Sequence, residues 1–223
     1  MGRPSLKTRR RDDLIRACIQ TIHEDGLESA SLARIAKRAG LTAGIVSHYF
    51  ADKAELMEAT MRHIGDRLGQ EQAHRLRDAK TPMERITAIM AANLAAEQFR
   101  PDTSAVWLSF WARVNHSPRL ARIQRINAAR LTSNLRHPLR DLIPDGIPNK
   151  EEEVRRIALV LSTLIDGLWL RAALDNGGVD PDRTLGLALR TLEAELGHLT
   201  HPYQTAPPVP PPLARHNEQA SEP

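Results

Sequence analysis

Residues 31–56 read SLARIAKRAGLTAGIVSHYFADKAEL, and this stretch decides the fold. Ser31 stands where a helix cap belongs, ahead of an apolar face made by Leu32, Ile35, Ala36 and Ala39. Gly40 suits the left-handed position that ends such a helix. After Leu41, Thr42 offers a hydroxyl to cap a second helix over residues 43–50. Asp52 and Glu55 have the spacing of a capping box, with Asp in place of Ser or Thr, and open a third helix. Two short helices around a tight glycine turn make a helix-turn-helix, whose second helix enters the DNA major groove. The stretch therefore points to gene control rather than catalysis.

Outward from it, the N-terminal side is basic. The first eleven residues hold Arg3, Lys7, Arg9, Arg10 and Arg11 and no acid, although the 223-residue chain carries a net charge of only +4. Such an arm either lies along phosphates and enters a minor groove, or is a solvated terminus. Beside a helix-turn-helix the DNA reading is the better one. A first helix is expected over residues 10–25, with Asp12 and Asp13 near its positive end and Gly26 beyond it. The single cysteine, Cys18, falls on its apolar face with Leu14, Ile15, Ile19 and Ile22, which excludes a disulfide framework. With no secretory apolar region after the basic start and no apolar run judged long enough to span a bilayer, a soluble cytoplasmic protein is expected.

Toward the C-terminus, apolar residues recur at helical spacing and strand alternation is almost absent. A long fourth helix follows Asp52 to about residue 79. Thr81-Pro82 opens a fifth, Pro101-Asp102 a sixth through Val114, and Ser117-Pro118 a seventh to about Leu142. Asn149 with Glu152 is expected to cap an eighth helix that Asn176-Gly177-Gly178 ends, and Asp180-Pro181 opens a ninth to about Leu199. The remainder is proline-rich and polar and reads as a disordered or polyproline-like tail. The expectation is an all-α chain: a basic arm and helix-turn-helix over 1–56, a helical body over 57–199, and a tail over 200–223.

Nine helices with the helix-turn-helix in the second and third resemble the TetR family of bacterial repressors. Gly26, Ser31, Ile35, Ala36, Ala39, Gly40 and residues 47–56 carry that resemblance. HYFADKAELMEATMR, WLSFW at 107–111, LTSNL, and LIDGLWLRAAL at 164–174 are similar to the BetI group of that family, choline-responsive repressors of glycine betaine synthesis. The similarity covers most of residues 10–199 but not the tail. It implies a homodimer that binds double-stranded operator DNA, a ligand-binding and dimerising body over 57–199, and choline as the effector; no cofactor is expected.

In the second reading helix, Thr42, Ala43, Gly44 and Ser47 suit close approach to base edges, where methyls meet thymine methyls and hydroxyls bond to bases or phosphates. Gly44 either permits that approach or packs against helix two. Ile45 and Val46 include the apolar anchor, and Phe50 reads as core. His48 has a polar end within reach of phosphate, Arg34 of backbone or bases, and the resemblance implies backbone contacts for Tyr49 and Lys53.

A quaternary ammonium has no N–H to donate and is recognised by aromatic faces and negative charge. All three tryptophans lie in the body: Trp107 and Trp111 share a helix face with Phe110 adjacent, and Trp169 follows later. They either fill the core or line a ligand site. Asp166 lies within the otherwise apolar ALVLSTLIDGLWLRAAL, where an unpaired carboxylate is costly. Either Arg171 pairs with it, or it faces a cationic ligand. Gly167 alternatively permits close helix approach at a dimer interface, and Asn93, Glu97 and Asn115 are weaker pocket candidates. There is no metal-binding spacing, phosphate loop or nucleophile elbow, so no metal site, catalytic residue or enzyme is expected. A repressor with another small cationic or apolar effector, or an effector-free architectural DNA-binding protein, remains the alternative.

Overall fold

Asp52, Thr81 and Ser117 each start a helix with a side-chain oxygen, and those three points set the architecture. The computed structural model describes residues 6–175 and 180–200. The described residues form nine α-helices, two short 3-10 turns and no strand. In order they are α1 (Leu6–Ser29), α2 (Leu32–Arg38), α3 (Ala43–Val46), α4 (Lys53–Leu76), α5 (Pro82–Asn93), α6 (Pro101–Arg113), α7 (Pro118–Leu142), α8 (Lys150–Leu174) and α9 (Pro181–Thr200).

At α4, Asp52 accepts from the Glu55 backbone at 2.7 Å, while Glu55 reaches back to the N–H of Ala51, one residue earlier than a standard box. At α5 the box is complete: Thr81 accepts from the Glu84 N–H and Glu84 accepts from that of Thr81. Hydrogen bonds from the Lys80 and Thr81 backbone hold the Glu84 carboxyl below its ordinary pKa. Asp180 accepts from the N–H groups of Asp182 and Arg183 and caps α9.

Several expected details are corrected. α1 begins at Leu6, so Lys7, Arg9, Arg10 and Arg11 belong to its first turns, and Asp12 and Asp13 lie past its positive end. Gly26, at φ 77°, breaks α1 where the sequence placed its end. α3 stops at Val46 instead of continuing to residue 50, because Ser47 to Tyr49 form a turn that carries Phe50 inward. Thr42 holds the cap position of α3 without a side-chain cap bond. Asn149 does not cap α8 with its side chain; it takes a left-handed conformation, φ 53°, and its carbonyl receives the Glu152 N–H. α8 is, against expectation, long and apolar enough by length and composition to cross a bilayer, since the run 157–174 carries only Asp166 and Arg171 as charges. Val154, Ile157, Leu161 and Ile165 bury one face of it in the second of the two cores described below. Arg3, Gly177, Gly178 and the proline-rich segment lie outside the described residues.

Two apolar cores result. The first joins Leu14, Cys18 and Ile22 of α1 to Ile35 of α2, Val46 of α3, Phe50, Leu56 and Met61, and it continues into Val106 and Phe110 of α6 and Leu120 and Ile123 of α7. The second joins Ile86 and Met90 of α5 to Leu135 and Leu139 of α7, Ile157 and Leu161 of α8, and Leu192 of α9. Cys18 is fully buried, and burial pushes its thiol up to about 11, so it is a small inert core residue. The helix-turn-helix thus shares its core with α6, which packs along α1.

Candidate DNA-reading head and aromatic cavity

The head is assembled by local chemistry. Ser31 accepts from the Arg34 N–H at 3.2 Å and starts α2, and Gly40 at φ 68° turns the chain into α3. Of the pair Ile45 and Val46, Val46 is the anchor of α3, fully buried, while Ile45 is 37% exposed. Thr42, Ala43, Gly44, Ser47 and His48 are exposed together, while Tyr49 is half-buried against the core. A Cβ at Gly44 would meet nothing within 4 Å, which removes packing against α2 as its reason. The unused Thr42 hydroxyl lies on the same short element.

Two predicted contacts have partners inside the protein. Arg34 pairs with Asp25 at 3.4 Å, beside Arg38, which pairs with Glu24 at 2.6 Å, so both tie α2 to the end of α1. Lys53 donates from Nζ to the Leu27 carbonyl at 2.8 Å and ties the start of α4 to the same bend. Arg11 lies over the Phe50 ring at 4.8 Å from its centroid. The surface that remains open for a groove is α3 and its flanking hydroxyls.

Trp107, Trp111 and Trp169 meet around one cavity. Trp111 and Trp169 stand 5.0 Å apart at 77°, and Trp107 stands 6.2 Å from Trp111 and 6.4 Å from Trp169 at steep angles. Rings set edge to face present both π-faces and edges to the space between them. Two of the three rings are fixed by hydrogen bonds: Trp111 Nε1 donates to Gln124 Oε1 at 3.3 Å, and Trp169 Nε1 to the Gln98 carbonyl at 3.0 Å. The cavity is about 150 Å³ and is lined also by Gly65, Gly69, Gln72, Asn93, Asn127 and Asp166.

Asp166 is solvent-exposed by surface area, yet the protein crowding one side of its carboxyl pushes it above the ordinary carboxylate range. Desolvation is the only cause of that shift, and Asp166 makes no ion pair among the described residues, so the pairing with Arg171 is not present. Phe110 is corrected: it is fully buried in the first core, 5.7 Å edge-on to Trp107, and does not line the cavity. Asn93 lines it, donating to the Ile89 carbonyl, whereas Glu97 lies at a separate cleft and Asn115 is exposed in a 3-10 turn. No group of His, Cys, Asp and Glu among the described residues has the arrangement to hold a metal.

Sequence reasoning missed the polar wall, Gln72, Gln98, Gln124, Asn127 and Asn134. One signal was available. Gly65 and Gly69, four apart on α4, strip one helix face of side chains, and that face borders the cavity. The cavity also lies where the cores meet: Trp107 and Trp111 pack against the first, and Ile165 and Leu131 belong to the second.

Comparison with known proteins agrees with both halves. Residues 14–60 match the tetR family of bacterial regulatory proteins, and residues 82–197 match the BetI-type transcriptional repressor C-terminal family. The chain is 41% identical over 201 residues to the HTH-type transcriptional regulator BetI 1 of Chromohalobacter salexigens, covering 90% of this chain and 96% of that one. It is 42% identical over 189 residues to the regulator BetI of Paraburkholderia phytofirmans, covering 84% and 94%. Among solved structures, a transcriptional regulator from Pseudomonas aeruginosa superposes with a TM-score of 0.74 at 23% identity, over 86% of this chain and 93% of that one. A regulator from Saccharomonospora viridis in complex with choline superposes with a TM-score of 0.72 at 18% identity, over 83% and 96%. Such relatives are transcriptional regulators and not enzymes. The helix-turn-helix head, the helical body fused to it through α6 and these matches together place the chain in the TetR family, as a regulator with a BetI-type repressor C-terminal domain.

Proposed function

We propose that this chain is a homodimeric, cytoplasmic repressor of genes for conversion of choline to glycine betaine, and that choline releases it from its operator. The observation that carries the reading is the meeting of Trp107, Trp111 and Trp169 with the unpaired Asp166 at one cavity. Three aromatic walls and one carboxylate suit a trimethylammonium, which offers charge and methyls but no N–H. The choline complex of the structurally similar Saccharomonospora viridis regulator supports the same ligand.

In this reading residues 1–56 read double-stranded DNA and residues 57–199 hold the effector and dimerise. Leu159 and Leu174 of α8 and Leu187 of α9 are exposed at 61%, 65% and 42%, an unusual cost for large apolar residues unless a second copy covers them. Two copies related by a two-fold axis present two α3 helices to a pseudopalindromic operator.

The route from ligand to DNA is short. Trp107 and Trp111 face the cavity from α6, while Val106 and Phe110 on the neighbouring face enter the core shared with α1, against which both tryptophans also pack. A cation drawn between α6 and α8 favours one placement of α6, and α1 carries it to the head. Choline needs only to bind the two placements differently. Titration calorimetry of choline against the intact chain and Asp166→Asn tests the site. Binding weakened by the substitution supports it, unchanged affinity removes Asp166, and no choline binding at all by the intact chain overturns choline as the effector. Binding of a different small cation in its place would retain the cage and change its ligand.

A further inference from the structure

Two of the amides that line the cavity are already used: Gln124 accepts from Trp111, and Asn93 donates to the Ile89 carbonyl. Asn127 is different. Its Nδ2 is buried, has no hydrogen-bond partner, and belongs to a residue that lines the cavity. A buried donor without a partner is rare and costs stability, so its retention calls for an explanation. The surroundings supply none from within the protein: a Cβ at Gly65 of α4 would lie 3.8 Å from Asn127 Oδ1, so the oxygen end of the amide borders α4, while the Nδ2 end is left without a partner beside the cavity space.

The position of Asn127 indicates what fills that space. It lies three residues after Gln124 on α7, so it is displaced from the Trp111-contacting residue by about 4.5 Å along the helix axis. An oxygen on a short arm of a trimethylammonium held by the tryptophans supplies the acceptor that this donor lacks. We propose that Asn127 reads the far end of the ligand, donating from Nδ2 to an oxygen carried two carbons from a trimethylammonium head. The ligand class is then oxygen-bearing trimethylammonium compounds, and bare alkyl ammonium ions are discriminated against. This rests on the ammonium being held by Trp107, Trp111 and Trp169, but it is a separate claim about the opposite end of the ligand.

The test compares three probes by calorimetry: choline, its methyl ether, and n-propyltrimethylammonium, in which a methyl replaces the hydroxyl. The intact chain is expected to bind choline and its ether about fivefold more tightly than the propyl compound, the usual effect of one satisfied hydrogen bond. The ether is informative because its oxygen accepts but does not donate. In Asn127→Leu the preference is expected to vanish through weaker binding of the two oxygen-bearing probes, with propyl binding retained. Because that substitution removes an unsatisfied donor at similar volume, the ligand-free variant is expected to melt no lower than the parent, which a merely structural asparagine would not allow. Equal binding of all three probes by the intact chain, or a preference that survives in Asn127→Leu, overturns the assignment to Asn127 and leaves the aromatic cage standing. Failure of all three to bind overturns the cage itself and this inference with it. The comparison on the intact chain decides the matter even where the variant does not fold.

Discussion

Asp166 carries a conflict that a bound cation would resolve. Burial raises its pKa in the folded chain, with no basic partner to offset it. The folded state therefore binds this proton more tightly than the unfolded chain does. The associated stability is fully present below the unfolded pKa and is lost as pH rises through the raised folded value. Asp166→Asn is predicted to raise the melting temperature of the ligand-free protein at neutral pH, with the gap closing as pH falls through the carboxylate range. A bound choline reverses the sign, since it stabilises the ionised form, so choline affinity should grow as pH rises through the Asp166 pKa. Melting curves over a pH series, with and without choline, check both; a parent and variant that melt together at neutral pH would refute the first. The residues of this site were legible to different degrees. Three tryptophans and one acid in an apolar helix stand out in a chain with only eight aromatic residues. Phe110 misled because adjacency in sequence places it about 100° around the helix from Trp111, on the core side. Asn127 was invisible because an asparagine in a polar helix shows its burial only when α4 and α7 are brought together.

At the scale of elements, α3 is the clearest example of function overriding helix formation. It is four residues long, has no side-chain cap bond and contains a glycine. Gly44→Ala fits the space, since a Cβ there meets nothing within 4 Å. Helix propensity predicts a gain of roughly 1 kcal/mol in stability. If Gly44 is there for closeness to DNA, the same substitution lowers operator affinity; a variant that is both more stable and equally tight on its operator would show that α3 stands off the groove. Lys53 serves the next element differently. Its ammonium bonds the Leu27 carbonyl from the first turn of α4, so it joins the two elements that frame α2 and α3. Lys53→Ala is predicted to weaken binding to all DNA sequences and to lower the salt slope by about one, which an anisotropy titration at several salt concentrations measures. Loss of affinity at an unchanged slope would assign Lys53 to framing the head alone. Helix starts were mostly readable because Ser31, Asp52, Thr81, Ser117 and Asp180 act through local hydrogen bonds. The start of α1 and the end of α3 were less so: α1 begins at Leu6, ahead of the basic run, and the turn that packs Phe50 inward ends α3.

The whole molecule is two cores with a cavity at their junction. That arrangement does not follow from a linear division near residue 56, because α6 returns to the first core after α5 has joined the second. Periodicity shows that each helix has an apolar face but not which partner takes it. The exposed leucines of α8 and α9 extend the same logic to a second copy. Leu159→Asp combined with Leu187→Arg is predicted to give a monomer in analytical ultracentrifugation and to lose operator binding while the helical spectrum persists. A dimer unchanged by both substitutions would place the interface elsewhere. The central claim concerns coupling between cavity and head, and operator affinity measured at zero and saturating choline tests it most directly. The account predicts at least a severalfold loss of operator affinity with choline, and, by reciprocity, an equal factor of loss in choline affinity when operator is bound. Operator binding that is the same with the cavity occupied as with it empty would contradict it.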